Sequence, residues 1–220
     1  MSAFNSDPQV ENEILKLKKL FNVETVIETG TYIGETTKFF CENFKDVYGI
    51  EISENYYTKT KDTCIEKNNL NLILNSSTNF LNDNLLEIGK DKEVILFYLD
   101  AHWDNYWPLK DEIDAISKNY FNRAIIVIDD FYVPNRDFQF DTYNNNVCNY
   151  DYIKNNIENC YDGFQYYFLN KTQRNLPIRN GNIGGVGKIF IIPNLLIKKN
   201  NIKNETIFFE ERGSFYSTTE

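Results

Sequence analysis

The chain has 220 residues, a formal net charge of -9 and 42% hydrophobic residues, 15% of all residues being aromatic. That length suits one α/β domain of about 100–200 residues, and the acidic balance opposes a nucleic-acid partner, whose binding draws on Lys and Arg to neutralise phosphates. MSAFNSDPQVENEI has no signal-peptide core and no run nears the ~20 apolar residues of a membrane span, so a cytoplasmic protein with no membrane partner is expected.

Residues 10–20 set Ile14, Leu15, Leu17 and Leu20 among charges and predict an opening helix. A strand is predicted at 25–28, a helix at 36–43, a strand at 47–51, a helix at 54–67, a strand at 70–74 and a helix at 78–88. VILFYL at 94–99 is apolar without alternation, as a strand covered on both faces is; a helix at 109–118 and a strand at 125–128 follow. Five βα units in succession imply a doubly wound parallel sheet.

The pattern then changes. An Asn- and Tyr-rich insert at 134–150 is either a lid over a ligand or a surface loop. A helix at 152–159 and strands at 164–169 and 188–192 close the chain, with a Gly-rich loop between the two strands. Gly181 to Gly187 lacks the P-loop Lys and precedes a strand, so it reads as a hairpin connection. The expected whole is one Rossmann-like domain with a mostly parallel seven-stranded sheet and an antiparallel last strand. Residues 24–133 form its cofactor and metal core, and 134–220 close it. Cys41, Cys64, Cys148 and Cys160 form no C-x-x-C pair and read as reduced thiols.

The first strand runs into Glu28-Thr29-Gly30-Thr31-Tyr32-Ile33-Gly34. Gly30 and Gly34 allow a backbone to pass close to a ligand, and Glu51, ending the second strand, can accept hydrogen bonds from two ribose hydroxyls. Tyr32 stands where a dinucleotide fingerprint needs its second glycine. Glu28 would repel a pyrophosphate but can hold an ammonium group. This chemistry points to S-adenosylmethionine.

The run ETGTYIGETT followed by YGIEIS resembles the first two motifs of class I S-adenosylmethionine-dependent methyltransferases, in the version of the catechol O-methyltransferase group. The resemblance covers 24–133. It implies that the loop of Gly30 meets the methionine part, that Glu51 binds ribose, and that Asn75, Ser76 and Ser77 meet adenine. Asp100 follows one strand, and Asp129 and Asp130 follow the next, so three carboxylates emerge from one sheet edge. Such a cluster calls for a cation, and hard oxygen ligands favour Mg2+, Mn2+ or Ca2+. YLDAHWDNY and IDDF resemble the metal-binding strand ends of catechol-type enzymes, which implies Asp100, Asp129 and Asp130 as ligands. Ala101 is an insertion relative to that pattern, and Asp104 stands where the family has its basic lysine.

His102, the only histidine, is the first candidate for the general base or a further ligand; Lys110 is the second candidate base, and Asp100 adjoins the same chemistry. Trp103 packs against cofactor or core. The expectation is a divalent-metal-assisted O-methyltransferase acting on a small hydroxylated acceptor, sugar or aromatic diol; a homo-oligomer is compatible with it. A nicotinamide-dependent oxidoreductase and an inactive cofactor-binding partner subunit are the alternatives.

Overall fold

The computed structural model describes residues 3–103, 106–169, 185–202 and 216–217. Five strands form its centre: β1 (Thr25–Thr29), β2 (Asp46–Glu51), β3 (Leu70–Leu74), β4 (Ile95–Leu99) and β5 (Ala124–Ile128). They pair in parallel in the order β3-β2-β1-β4-β5. Every residue of β1, β4 and β5 is buried, because helices cover both faces.

Successive strand residues feed opposite layers. Val26, Leu96, Tyr98 and Val127 pack with Ile14 and Leu17 of α2 (Pro8–Phe21) and Phe40 of α3 (Glu35–Asn43). Ile27, Phe97, Leu99 and Ile126 pack with Leu81 and Leu85 of α5 (Ser77–Gly89) and Ile113 and Ile116 of α6 (Leu109–Asn119). Asp7 caps α2 by accepting the Gln9 N–H at 3.0 Å, and Pro8 at its first position lacks a donor that would have no partner there. Before it, α1 (Ala3–Ser6) is a left-handed turn in which Phe4 has φ 51°; its ring is buried against Phe39, Phe40 and Tyr98.

Helix α4 (Glu54–Thr63) stops short of the predicted Lys67. Beyond it, Asn69 donates to the carbonyls of Cys41 and Phe44 at 3.0 and 2.8 Å. The chain turns early so that an amide can satisfy the open C-terminal end of α3.

The closing half adds α7 (Tyr150–Glu158), β8 (Phe164–Phe168), β9 (Ile189–Pro193) and α8 (Asn194–Lys199). Strand β9 lies antiparallel between β5 and β8, as a hairpin partner of β8, so the expected antiparallel last strand is present. A two-residue strand, β10 (Tyr216–Ser217), pairs with β8 and makes the sheet eight-stranded rather than seven. The insert carries a small hairpin, β6 (Thr142–Tyr143) and β7 (Asn146–Val147), which the sequence reading did not predict. Its turn residues Asn144 and Asn145 have φ 47° and 64°, the left-handed pair that a two-residue hairpin needs and that Asn tolerates. Gly181 to Gly184 lie outside the described residues. All four cysteines are free and buried. Among the described residues no helix is long and apolar enough to cross a membrane.

Candidate functional site

The loop after β1 is built by two close approaches. Gly30 has φ 78°, its N–H donates to the Ile50 carbonyl at 2.9 Å, and a Cβ there would lie 2.6 Å from the Asp100 carbonyl oxygen. Glycine is required because the ends of β1 and β4 touch. Gly34 has φ 82°, and a Cβ there would meet Thr60 Cα at 2.9 Å; its smallness serves the packing of α3 against α4. Between them Tyr32 adopts φ 50° and gives its N–H to Glu51 Oε2 at 3.0 Å, while Ser53 N–H reaches Oε1 at 2.9 Å. Two backbone donors thus fix the Glu51 carboxylate and leave it lone pairs for a ligand.

The C-terminal strand ends open on a cavity of about 1200 Å³. Of the residues singled out from sequence, Gly30, Tyr32, Glu51, Asn75, Ser77, Asp100, His102, Trp103 and Asp130 line it. Gln139, Phe140 and Asp141 bring the insert to the same wall. The insert is pinned there: Gln139 exchanges backbone hydrogen bonds with Gly185 and Gly187 at 3.0 and 2.9 Å, and Phe131 N–H donates to the Gly187 carbonyl at 2.8 Å.

Five other expected residues stand away from the cavity lining. Gly34 packs helices, as described. Glu28 lies beneath the loop, where Thr37 Oγ1 donates to it at 2.6 Å and burial pushes its carboxyl up to about 8, so it offers no exposed anion to an ammonium group. Ser76 caps α5 by accepting the Asn79 N–H at 3.4 Å. Lys110 sets its ammonium 3.9 Å from the centroid of the Tyr152 ring, a cation–π contact, and does not line the cavity.

Asp129 is the fifth, and its setting changes the reading of the acids. Its Oδ1 lies 2.5 Å from the buried Lys188 ammonium and accepts the Asp130 N–H at 2.7 Å; its Oδ2 accepts the Tyr98 hydroxyl. Both oxygens are engaged and a cation is already in place. The trio of Asp100, Asp129 and Asp130 therefore does not fit a common divalent ion. Burial, then the charges of Asp129 and Asp130, hold the Asp100 carboxyl well above the usual carboxylate range, with Lys188 pulling the other way. Among the described residues one group of three has metal-ligand character: atoms of His102, Asp130 and Asp141 lie within 4.8 Å of one another. Burial raises the Asp141 carboxyl, and His102 lowers it in part.

No family model and no curated protein matches this chain. Solved structures do match. The O-methyltransferase TomG from Streptomyces achromogenes, in complex with SAM, gives a TM-score of 0.58 at 14% identity, over 85% of this chain and 80% of that one. A S-adenosylmethionine-dependent methyltransferase from Clostridium acetobutylicum ATCC 824 gives 0.51 at 13%, over 83% and 90%. An rRNA methylase from Streptococcus thermophilus gives 0.50 at 15%, over 85% and 96%. The chain has the Rossmann-like methyltransferase fold. At these identities the likeness is one of architecture. In a methyltransferase fold of this strand order the direction of winding reverses between β1 and β4, and the cavity lies there, outside the strand ends.

Three residues of the site escaped the sequence reading. Lys188 reaches Asp129 only because β9 inserts antiparallel beside β5. Asp141 sits in a polar insert whose other carboxylate, Asp137, looks the same. Glu112, wholly buried on α6, is pushed up to about 7 by burial against the pull of the Ser77 and Thr29 hydroxyls beneath the cavity. Its signal was visible: Glu112 shares the helical stripe of Leu109, Ile113 and Ile116.

Proposed function

We propose that the chain is a S-adenosylmethionine-dependent methyltransferase that methylates a hydroxyl of a small acceptor. The observation that carries this reading is Glu51. It ends the second strand, its carboxylate is oriented by two backbone N–H groups, and it faces the cavity that Gly30 and Ser77 also line. A carboxylate so held is suited to two ribose hydroxyls. The fold shared with TomG, described in complex with SAM, supports the same cofactor.

The reaction asks for alignment and a proton acceptor. The acceptor oxygen attacks the sulfonium methyl; the C–O bond forms as the C–S bond breaks, leaving a thioether, and the hydroxyl proton passes to a base. Asp100 is the proposed base in its ionised form: its carboxyl lines the cavity and its backbone N–H is anchored to the Thr29 carbonyl at 3.1 Å, and because that carboxyl is held above the usual carboxylate range, turnover is expected to rise with pH. Tyr32, Trp103, Tyr106 and Phe140 supply flat apolar walls for a sugar face or an aromatic ring.

Calorimetry with S-adenosylhomocysteine and with NAD tests the cofactor. Binding of the former, weakened by roughly 1–3 kcal/mol in Glu51→Ala, is expected. NAD binding without S-adenosylhomocysteine binding would overturn the reading. Transfer of labelled methyl to compounds with neighbouring hydroxyls then tests the acceptor class, and Asp100→Asn is expected to lower turnover by ~10²-fold or more.

A further inference from the structure

We infer that His102, Asp130 and Asp141 form a binding site for a divalent first-row transition ion, on the wall of the cavity that Glu51 also lines. The three side chains come from the β4–α6 connection, the end of β5 and the insert, yet one ligand atom of each lies within 4.8 Å of the others. Two ligand atoms on one such ion stand about 3–4 Å apart, given bonds of about 2.0–2.2 Å.

The backbone presents Asp141 to Asp130 directly. Asp141 N–H donates to the Asp130 carbonyl at 2.8 Å, and the Cys148 N–H holds the Asp141 carbonyl at 2.9 Å. Nearby, Lys188 pairs with Asp129, while Asp130 and Asp141 line the cavity together with the chain's only imidazole. One nitrogen and two carboxylate oxygens favour Mn2+, Fe2+, Co2+ or Zn2+ over Mg2+ and Ca2+. Three protein ligands also leave coordination positions for two neighbouring acceptor oxygens. That last role rests on the transferase reading above; ion binding does not.

The test uses the full chain stripped with a chelator and titrated calorimetrically with MnCl2, ZnCl2 and MgCl2, and separately with S-adenosylhomocysteine. The expected result is one Mn2+ or Zn2+ per chain, with Mg2+ weaker by about 10-fold or more. His102→Ala and Asp141→Asn are each expected to weaken Mn2+ by about 10-fold or more, and the Mn2+ resonance spectrum to report the loss. His102 is exposed, so its removal leaves the fold intact, and circular dichroism checks both variants. Mn2+ and Zn2+ affinities unchanged in both variants overturn the site. So does Mn2+ binding lost in Asp100→Asn but kept in the other two, or a chain that binds S-adenosylhomocysteine and neither transition ion. Ion binding without S-adenosylhomocysteine binding supports the site and removes the transferase reading instead.

Discussion

Lys188 and Asp129 form the ion pair on which the strand ends are organised, and both are almost completely buried. Removing one partner of such a pair leaves an uncompensated charge, so Lys188→Ala is expected to cost about 3–5 kcal/mol in urea unfolding. Adding Asp129→Asn to that variant is expected to recover part of the loss, because neither position then carries a charge. The pair was hidden in the sequence for a geometric reason. Once β9 is known to run antiparallel to β5 with Ile128 opposite Ile189, Asp129 falls beside Lys188; from the sequence alone Asp129 was only one of three acids at an edge. Glu51, by contrast, was legible, since its role depends only on ending the second strand. Glu28 carries a prediction in pH. Its carboxyl is raised from 4.5 to about 8 by burial, so the fold keeps a proton that the unfolded chain releases. Stability therefore falls as pH rises from about 4.5 to 8, by up to about 1.4 kcal/mol per pH unit from this group. Glu28→Gln is expected to flatten that slope, raising the melting temperature at pH 8 and changing it little at pH 4.5.

The insert behaves as an element because it is held at several points along its length. Gly187 is the tightest of them: a Cβ there would lie 2.0 Å from the Phe131 carbonyl oxygen, so the two backbones can approach only with glycine. Gly187→Ala is expected to lower the melting temperature and to speed proteolysis within 134–150, whereas Asn145→Gly, at a φ of 64°, is expected to keep both at or above the wild-type level. The parallel strands and their helices were readable because their apolar periods are long and uninterrupted. The hairpin of the insert was not, since two-residue strands have no period to read; its signal was the Asn-Asn pair alone. Whether the insert was a lid or a loop could not be read either, because that depends on Phe138 being buried and on backbone hydrogen bonds to residues 185–187.

Across the whole molecule, the alternation of strands and helices specified the parallel half of the sheet, and the change of pattern after Val133 marked where that regime ends. The extra edge strand was beyond such reasoning, its two residues being defined only by the partner they meet in β8. The proposed cofactor bridges the first two strand ends and β4, so it should stabilise the fold by mass action. S-adenosylhomocysteine at 100 times its dissociation constant is expected to add about 2.7 kcal/mol, a rise of roughly 5–10 °C in melting temperature, and Glu51→Ala is expected to shift the concentration needed upwards. Three of the four buried thiols give that stability a spatial resolution. Cys64 contacts the Gly34 carbonyl under the first loop, Cys148 faces the Asp129 carbonyl beside the insert, and Cys160 meets the Ile113 carbonyl on α6. An alkylating reagent reaches each only when its own neighbourhood opens, so under native conditions three labelling rates time three local openings of one unaltered chain. A ligand held by the first loop would slow the clock at Cys64, an ion held by the insert would slow the one at Cys148, and Cys160 would keep time for the molecule as a whole.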